Sequence, residues 1–408
     1  MSIDSIGESL ANFQAALTED GSSFSGFARE HYVNKWCGET IYQVMAIRTS
    51  FVSAMLQYLI DQGLLNLERV SLSPVTDPLA HDIEHVPTIG YKGHPYKTTH
   101  SMIYSKFLAC FNPRLKGIFV DSPNIRLELE SPDGRQRSKY LIDFSQLDVE
   151  LRRDRFVNLE EYYHQKPMVT ELLQADLDKA LAFFEGMIIA GCQAVVAKNG
   201  DSLKALGVTL EVPTSPFPRI RRDEAIKKTG THAFEKPIGE TVAGQFFWIV
   251  GLMRENYDLI YPYLNEDGSK RPIADFASAE IYNYDLCAKS KLLDGSSGPA
   301  WEVLSGAIRE WLYEPIVERL LDNRILKIRP EMKDGEILNL EELDGYGPFL
   351  TAVAMLDAAG KPLFPSTFGG GLGLERCLYA LLRGPKIQKV DDVTLFGKNP
   401  DSHPLYLY

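Results

Sequence analysis

The stretch STFGGGLGLERCLYALLRG, residues 366–384, sets glycines at 369, 370, 371 and 373 directly before an apolar helical pattern that carries Glu375 and Arg376. A bare backbone permits a close approach that side chains would block. An arginine on the first helical turn beyond it can grip a phosphate bidentately. The glycines do not make a dinucleotide fingerprint, because the place of the third glycine holds Arg376, and GxxxxGK[ST] occurs nowhere in the chain. A glycine run by itself reads as a tightly packed strand-to-helix turn; Arg376 adds the phosphate reading.

A second arginine, Arg126 in NIRLELE, falls on an expected strand with Glu128 on the same face two residues later. After the turn SPDGRQRS the chain returns through YLIDFSQLDVEL, which brings Phe144 back beside it. Arginine for phosphate, phenylalanine for a base and a carboxylate for an amine together make a nucleotide site.

The elements that must hold these residues follow from periodicity. Apolar residues from Ile41 to Ile60 paint one helical stripe that Gly63 ends, and LERVSLSP (67–74) reads as a strand stopped by Pro74. Residues 115–123 and 124–132 read as two strands, 168–198 as a long helix and 235–262 as mostly helical. Strands in adjacent hairpins without regular strand-helix alternation predict an α+β fold, an antiparallel β-sheet flanked by helices. Residues 1–40 read as a helical arm, and 41–408 as one domain with a helical insertion around 227–270.

The 408 residues are 45% apolar and 24% charged, enough to bury a sizeable core. A net charge of −12 supplies no global attraction to nucleic acid. The five cysteines include no CxxC pair, which argues against a thiolate metal site or a disulfide framework. The greasiest stretch, ALAFFEGMIIAGCQAVVA, is interrupted by Glu185, and no secretory signal pattern opens the chain, so a cytoplasmic protein with no membrane partner is expected. HDIEH (81–85) spaces two histidines at i and i+4 but lacks the catalytic glutamate of a zinc motif; His81 and His85 are read as lining the loop beside the pocket.

In order, the helix with VSLSP, then IRLELE with DFSQLDVE, then GGGLGLER resemble the three motifs of the class II aminoacyl-tRNA synthetases, in their aspartyl and asparaginyl branch. PFPRIRRDEAI (216–226) and WEVLSGAIRE (301–310) also resemble segments of this branch. The resemblance implies ATP and Mg²⁺, with Arg126 on the α-phosphate, Glu128 and Phe144 at adenine, Gly371 and Gly373 in the nucleotide floor, Arg376 on the γ-phosphate and Glu302 on the metal with Asp285. It also implies a homodimer through residues 41–74.

THSMIYSK (99–106) resembles the substrate segment of the family and supplies Ser101 and Lys106. A buried second carboxylate on the substrate needs cations around it. Lys106 and Arg309 meet that need, and with Gln146 and Asp148 they favour aspartate or a close analogue. Asp82, Asp148 and Ser101 are the candidates for its ammonium group. Ile103 stands where the family has a glutamine.

Some 40 residues ahead of the core are too few for the anticodon-binding β-barrel of this branch. An ATP-dependent, AMP-forming carboxylate-amine ligase is therefore expected, resembling the asparagine synthetases, with ammonia or a small amine as acceptor and no tRNA. The alternatives are an aspartate or asparagine tRNA ligase without an anticodon domain, and a non-catalytic synthetase-like regulatory subunit.

Overall fold

Strict alternation in Asp143–Arg152 decides the architecture: Leu147, Val149 and Leu151 fall on one side of the strand and Phe144, Gln146, Asp148 and Glu150 on the other. The computed structural model describes residues 35–74, 86–126, 141–153, 159–252, 257–263, 280–343 and 345–395, with 265, 267 and 269. They assemble on an eight-stranded sheet whose strands, in chain order, are Leu65–Asn66 (β1), Gly117–Ile125 (β2), Asp143–Arg152 (β3), Arg219–Arg221 (β4), Phe246–Val250 (β5), Asn283–Ala288 (β6), Trp301–Ile308 (β7) and Thr367–Gly373 (β8). The spatial order is β1-β2-β3-β8-β7-β6-β5-β4. The first and last pairs are parallel; all others are antiparallel. The expected α+β class with an antiparallel sheet is what the chain adopts.

One face of this sheet is apolar and carries the core. Val149, Leu372, Leu304, Tyr284 and Trp248 pack there against the helices Glu39–Asp61 (α1) and Lys166–Lys198 (α3), with Phe184 of the latter 5.9 Å from Tyr284 between ring centres. The long helix is apolar and long enough to cross a membrane by length and composition. Its Glu185 explains its true setting: the buried carboxylate accepts from Trp248 Nε1 at 2.8 Å, from the Phe217 N–H at 3.0 Å and from the Ser215 hydroxyl. An acid in an apolar helix is tolerated when donors satisfy it.

Three expectations about elements change. Residues 235–262 are not mostly helical: a short helix, Glu235–Thr241, is followed by β5. FFWIV is aromatic and β-branched without a polar break, the pattern of a strand covered on both faces. The runs 115–123 and 124–132 are not separate strands, since β2 continues through Pro123 to Ile125. Pro123 faces Ser145, whose N–H turns away from β2 to Glu375 Oε2 at 3.0 Å. The missing N–H of Pro123 therefore points to the open edge, where proline costs no ladder bond. Residues 67–74 hold only Leu72–Ser73 as strand, with β1 just ahead.

Candidate active site

The second face of the sheet is polar across its centre. Register places Ser122 opposite Gln146, Val120 opposite Asp148, Asp148 opposite Gly371, Gly371 opposite Ser305 and Ser305 opposite Asp285. Paired residues in register share a face, so Gln146, Asp148, Glu150, Gly369, Gly371, Ser305 and Asp285 form one floor. Four buried atoms around it, Ser122 Oγ, Asn124 Oδ1, Asp148 Oδ2 and Glu150 Oε2, have no hydrogen-bond partner among the described residues. Buried polar atoms are rarely left so, and their grouping on one face marks a polar ligand site.

The glycines of β8 make this floor possible, though not only as a platform for a flat ligand. A Cβ at Gly369 would run into the Glu150 carboxylate, and one at Gly371 into the Gln146 amide and Asp148. Side chains of β3 thus lie across the bare strand. Gly373 has only ordinary contacts around an added Cβ, the nearest being Arg376 at 3.8 Å.

Beyond Gly373 the helix Leu374–Leu382 (α4) begins, and Arg376 on its first turn donates from Nη1 to Glu302 Oε2 at 3.2 Å. Glu302 sits on β7 opposite Cys287 of β6, two residues along from Asp285. Burial, then the charges of Glu235, Asp285 and Glu302, hold the Cys287 thiol well above its ordinary range. No cluster of three or more metal-binding side chains occurs among the described residues. Two carboxylates on adjacent strands nevertheless suit Mg²⁺, which takes one or two protein carboxylates and completes its shell with phosphates and water.

Arg126 lies just past the end of β2 rather than within it. Its Nε donates to the His100 carbonyl at 2.9 Å, and its guanidinium carbon stands 5.1 Å from the centre of the Phe144 ring. The sequence pairing of Arg126 with Phe144 is therefore met in space, with the guanidinium itself over the ring expected to receive adenine. Glu128 and Asp82 lie outside the described residues, as do His81, His85 and the turn 131–138.

The cations expected to hold a carboxylate converge. Lys106 is on a short helix, Ile103–Ala109 (α2), that follows Ser101 and Met102, and it is buried. Its Nζ donates to Asp148 Oδ1 at 2.7 Å and stands 3.9 Å from Glu150 Oε2. The other oxygen of Glu150 accepts from Thr367 Oγ1 at 2.6 Å and from Arg309 Nε at 3.4 Å. Arg309 Nη1 reaches Asp258 Oδ1 at 3.3 Å, and Asp258 Oδ2 accepts from Asn283 Nδ2 at 2.8 Å. Both cations are thus already paired with protein carboxylates.

Glu150, Asp258, Thr367, Ser122 and Asn124 escaped the sequence reading. Glu150 was within reach of it, since the period of two that puts Gln146 and Asp148 on one face puts Glu150 there too. Asp258 was not, because the sequence predicts helix over the segment around it, whereas in the fold it is a bridge partner of Arg309.

No protein-family profile matches the chain. Its sequence is similar to the aspartate–tRNA(Asp) ligase of Thermoplasma volcanium, 25% identical over 233 residues, 56% of this chain and 45% of that protein. It is likewise similar to the aspartate–tRNA(Asp/Asn) ligase of Methanococcus aeolicus, 26% identical over 208 residues, 51% of this chain and 40% of that protein. The matched region thus spans less than half the length of these curated relatives. In fold it resembles the asparaginyl-tRNA synthetases of Pyrococcus horikoshii (TM-score 0.58, 17% identity, 89% of this chain and 69% of that one) and Entamoeba histolytica (TM-score 0.60, 18% identity, 94% and 73%), both solved with asparaginyl-adenylate. The chain has the catalytic fold of the class II aminoacyl-tRNA synthetases, and its sequence resembles their aspartyl and asparaginyl branch.

Proposed function

We propose that this chain activates an aspartate-like amino acid with ATP as the acyl adenylate and transfers the acyl group to ammonia or a small amine. One observation carries the reading: Arg126 with Phe144, Arg376 with Glu302, and Lys106 with Arg309 are tied to the same polar floor. In this reading Arg126 binds the α-phosphate and draws the reacting carboxylate toward it, Phe144 and Glu128 take the adenine, and Arg376 takes the γ-phosphate. Asp285 and Glu302 would hold Mg²⁺, which when bound neutralises phosphate charge. Ser101, Gln146 and Asp148, with Asp82, surround the ammonium, and Lys106 and Arg309 take the second carboxylate.

The carboxylate oxygen attacks the α-phosphorus in line, and pyrophosphate departs as the P–O bond to it breaks. The amine nitrogen then attacks the acyl carbon, loses a proton and expels AMP. No side-chain nucleophile is needed; alignment and fixed charges lower the barrier. The overall charge of −12 supports a small acceptor over a polyanion.

A second reading, transfer to tRNA, is favoured by the relatives, which are aspartate–tRNA ligases. Pyrophosphate exchange across the amino acids, followed by mass spectrometry with ammonia, small amines and tRNA, separates the two. Aspartate-dependent exchange with an amide product supports the proposal; an acylated tRNA with no amide would sink the amine acceptor.

The same reading includes a cytoplasmic homodimer. Tyr42, Met45 and Ile60 are exposed on one stripe of α1, and Leu65 and Leu72 are exposed nearby in sequence. Light scattering of the purified chain tests it, and a monomer at micromolar concentration would refute it.

A further inference from the structure

Lys106 is 2% exposed and Asp148 1%, and their ion pair is 2.7 Å long. Neither charge can be left alone at that depth without a large desolvation penalty. Yet the two are the groups that, on the function proposed above, must bind opposite ends of the substrate: Asp148 its ammonium, Lys106 its side-chain carboxylate. We infer that the Lys106–Asp148 pair is a placeholder, exchanged for the substrate's own ammonium and carboxylate in one concerted swap.

The surroundings are built for such an exchange. Asp148 gives Lys106 one oxygen and keeps Oδ2 without a hydrogen-bond partner among the described residues. Glu150 does the same: Oε1 is held by Thr367 and Arg309, while Oε2 is without a hydrogen bond and lies 3.9 Å from Lys106 Nζ. An incoming ammonium can therefore engage Asp148 before Lys106 has left it. The displaced lysine keeps Glu150 as a near neighbour and meets the incoming carboxylate on the side where Glu150 holds Arg309. Every charge stays paired throughout.

A ligand with only one of the two groups breaks this balance. Succinate would draw Lys106 away and leave Asp148 buried without a cation; alanine would take Asp148 and leave Lys106 only Glu150, 3.9 Å away and already shared with Thr367 and Arg309. The site thus selects for both charges together, whereas a static pocket would score each group separately. The inference rests on the aspartate reading, and the test keeps the two apart.

Calorimetric binding to the full chain is measured with aspartate and succinate, for the wild type and for Asp148→Asn. In the wild type succinate binds on the order of 100-fold more weakly than aspartate. In Asp148→Asn aspartate weakens, while succinate tightens by about tenfold because the lysine is already released. A lost structural contact would weaken both ligands. No gain for succinate in a folded Asp148→Asn variant overturns the placeholder.

Should that variant fail to fold by circular dichroism, inhibition of wild-type exchange by alanine, succinate and propionate decides instead. Propionate within about tenfold of succinate supports the exchange, since the second deletion then costs little; a larger gap, or no inhibition, overturns it. Wild type without aspartate binding or aspartate-dependent exchange would remove the functional reading and this inference with it. Aspartate-dependent exchange without the succinate gain would remove the inference alone.

Discussion

Arg376 closes on Glu302 with Nη1 and Oε2 3.2 Å apart, joining the first turn of α4 to the early part of β7. Both side chains are partly open, at 25% and 30% exposure, so the pair is accessible to a ligand. On the proposed chemistry each has a second duty, phosphate for one and metal for the other. Arg376→Ala and Arg126→Ala are each expected to lower aspartate-dependent pyrophosphate exchange by tenfold or more, from the loss of a charge-assisted bond of about 1.5–3 kcal/mol. Exchange within twofold of wild type in either variant would contradict the roles given to them.

Gly371 and Gly373 should respond differently to alanine. At 371 the new methyl meets the Gln146 amide and Asp148, whereas at 373 it has room. Overpacking costs about 1–3 kcal/mol, so Gly371→Ala should melt lower and lose exchange while Gly373→Ala keeps its melting temperature. Equal melting curves would show that the Gln146 side chain swings aside at no cost.

Glu185→Ala tests the other face of the sheet. The substitution leaves Trp248 Nε1 and the Phe217 N–H without their acceptor in the core. Each buried donor left unpaired costs about 1–3 kcal/mol, and urea unfolding should register the loss. A midpoint unchanged from wild type would mean that water replaces the carboxylate.

Glu310 gives stability a pH dependence. Burial, its largest influence, raises its carboxyl above the ordinary value of 4.5, against the opposing pull of Arg319, two backbone N–H groups and Arg153. The unfolded chain releases this proton first, so stability is full below about pH 4.5 and is lost as pH climbs through the folded value. Glu310→Gln should remove that decline. Denaturant midpoints from about pH 4 to 7 that fall equally in wild type and variant would exclude Glu310 as its source.

The residues with chemistry were easier to read than the elements beneath them. Arg126 with Phe144 could be paired from sequence because a hairpin returns the chain past the arginine, and Lys106 with Arg309 because both lie in segments that resemble the substrate-binding segments of the synthetase family. The partners that hold them did not stand out. Asp258 is one acid among 55 acidic residues, and only a bridge to Arg309 between distant segments gives it meaning. Likewise FFWIV reads as helix or strand by hydrophobicity alone. Its place beside β6 is set by tertiary pairing, which overrides local propensity.

The bare strand β8 also limits how this pocket can diverge. A side chain at 369 would run into the Val149 carbonyl as well as the Glu150 carboxylate, and one at 371 would have to push aside the Gln146 amide and Asp148, so the bottom of the pocket resists resculpting at these two positions. A change of preferred substrate is more readily written into the walls, on β2, β3, β6 and the short helix that carries Lys106.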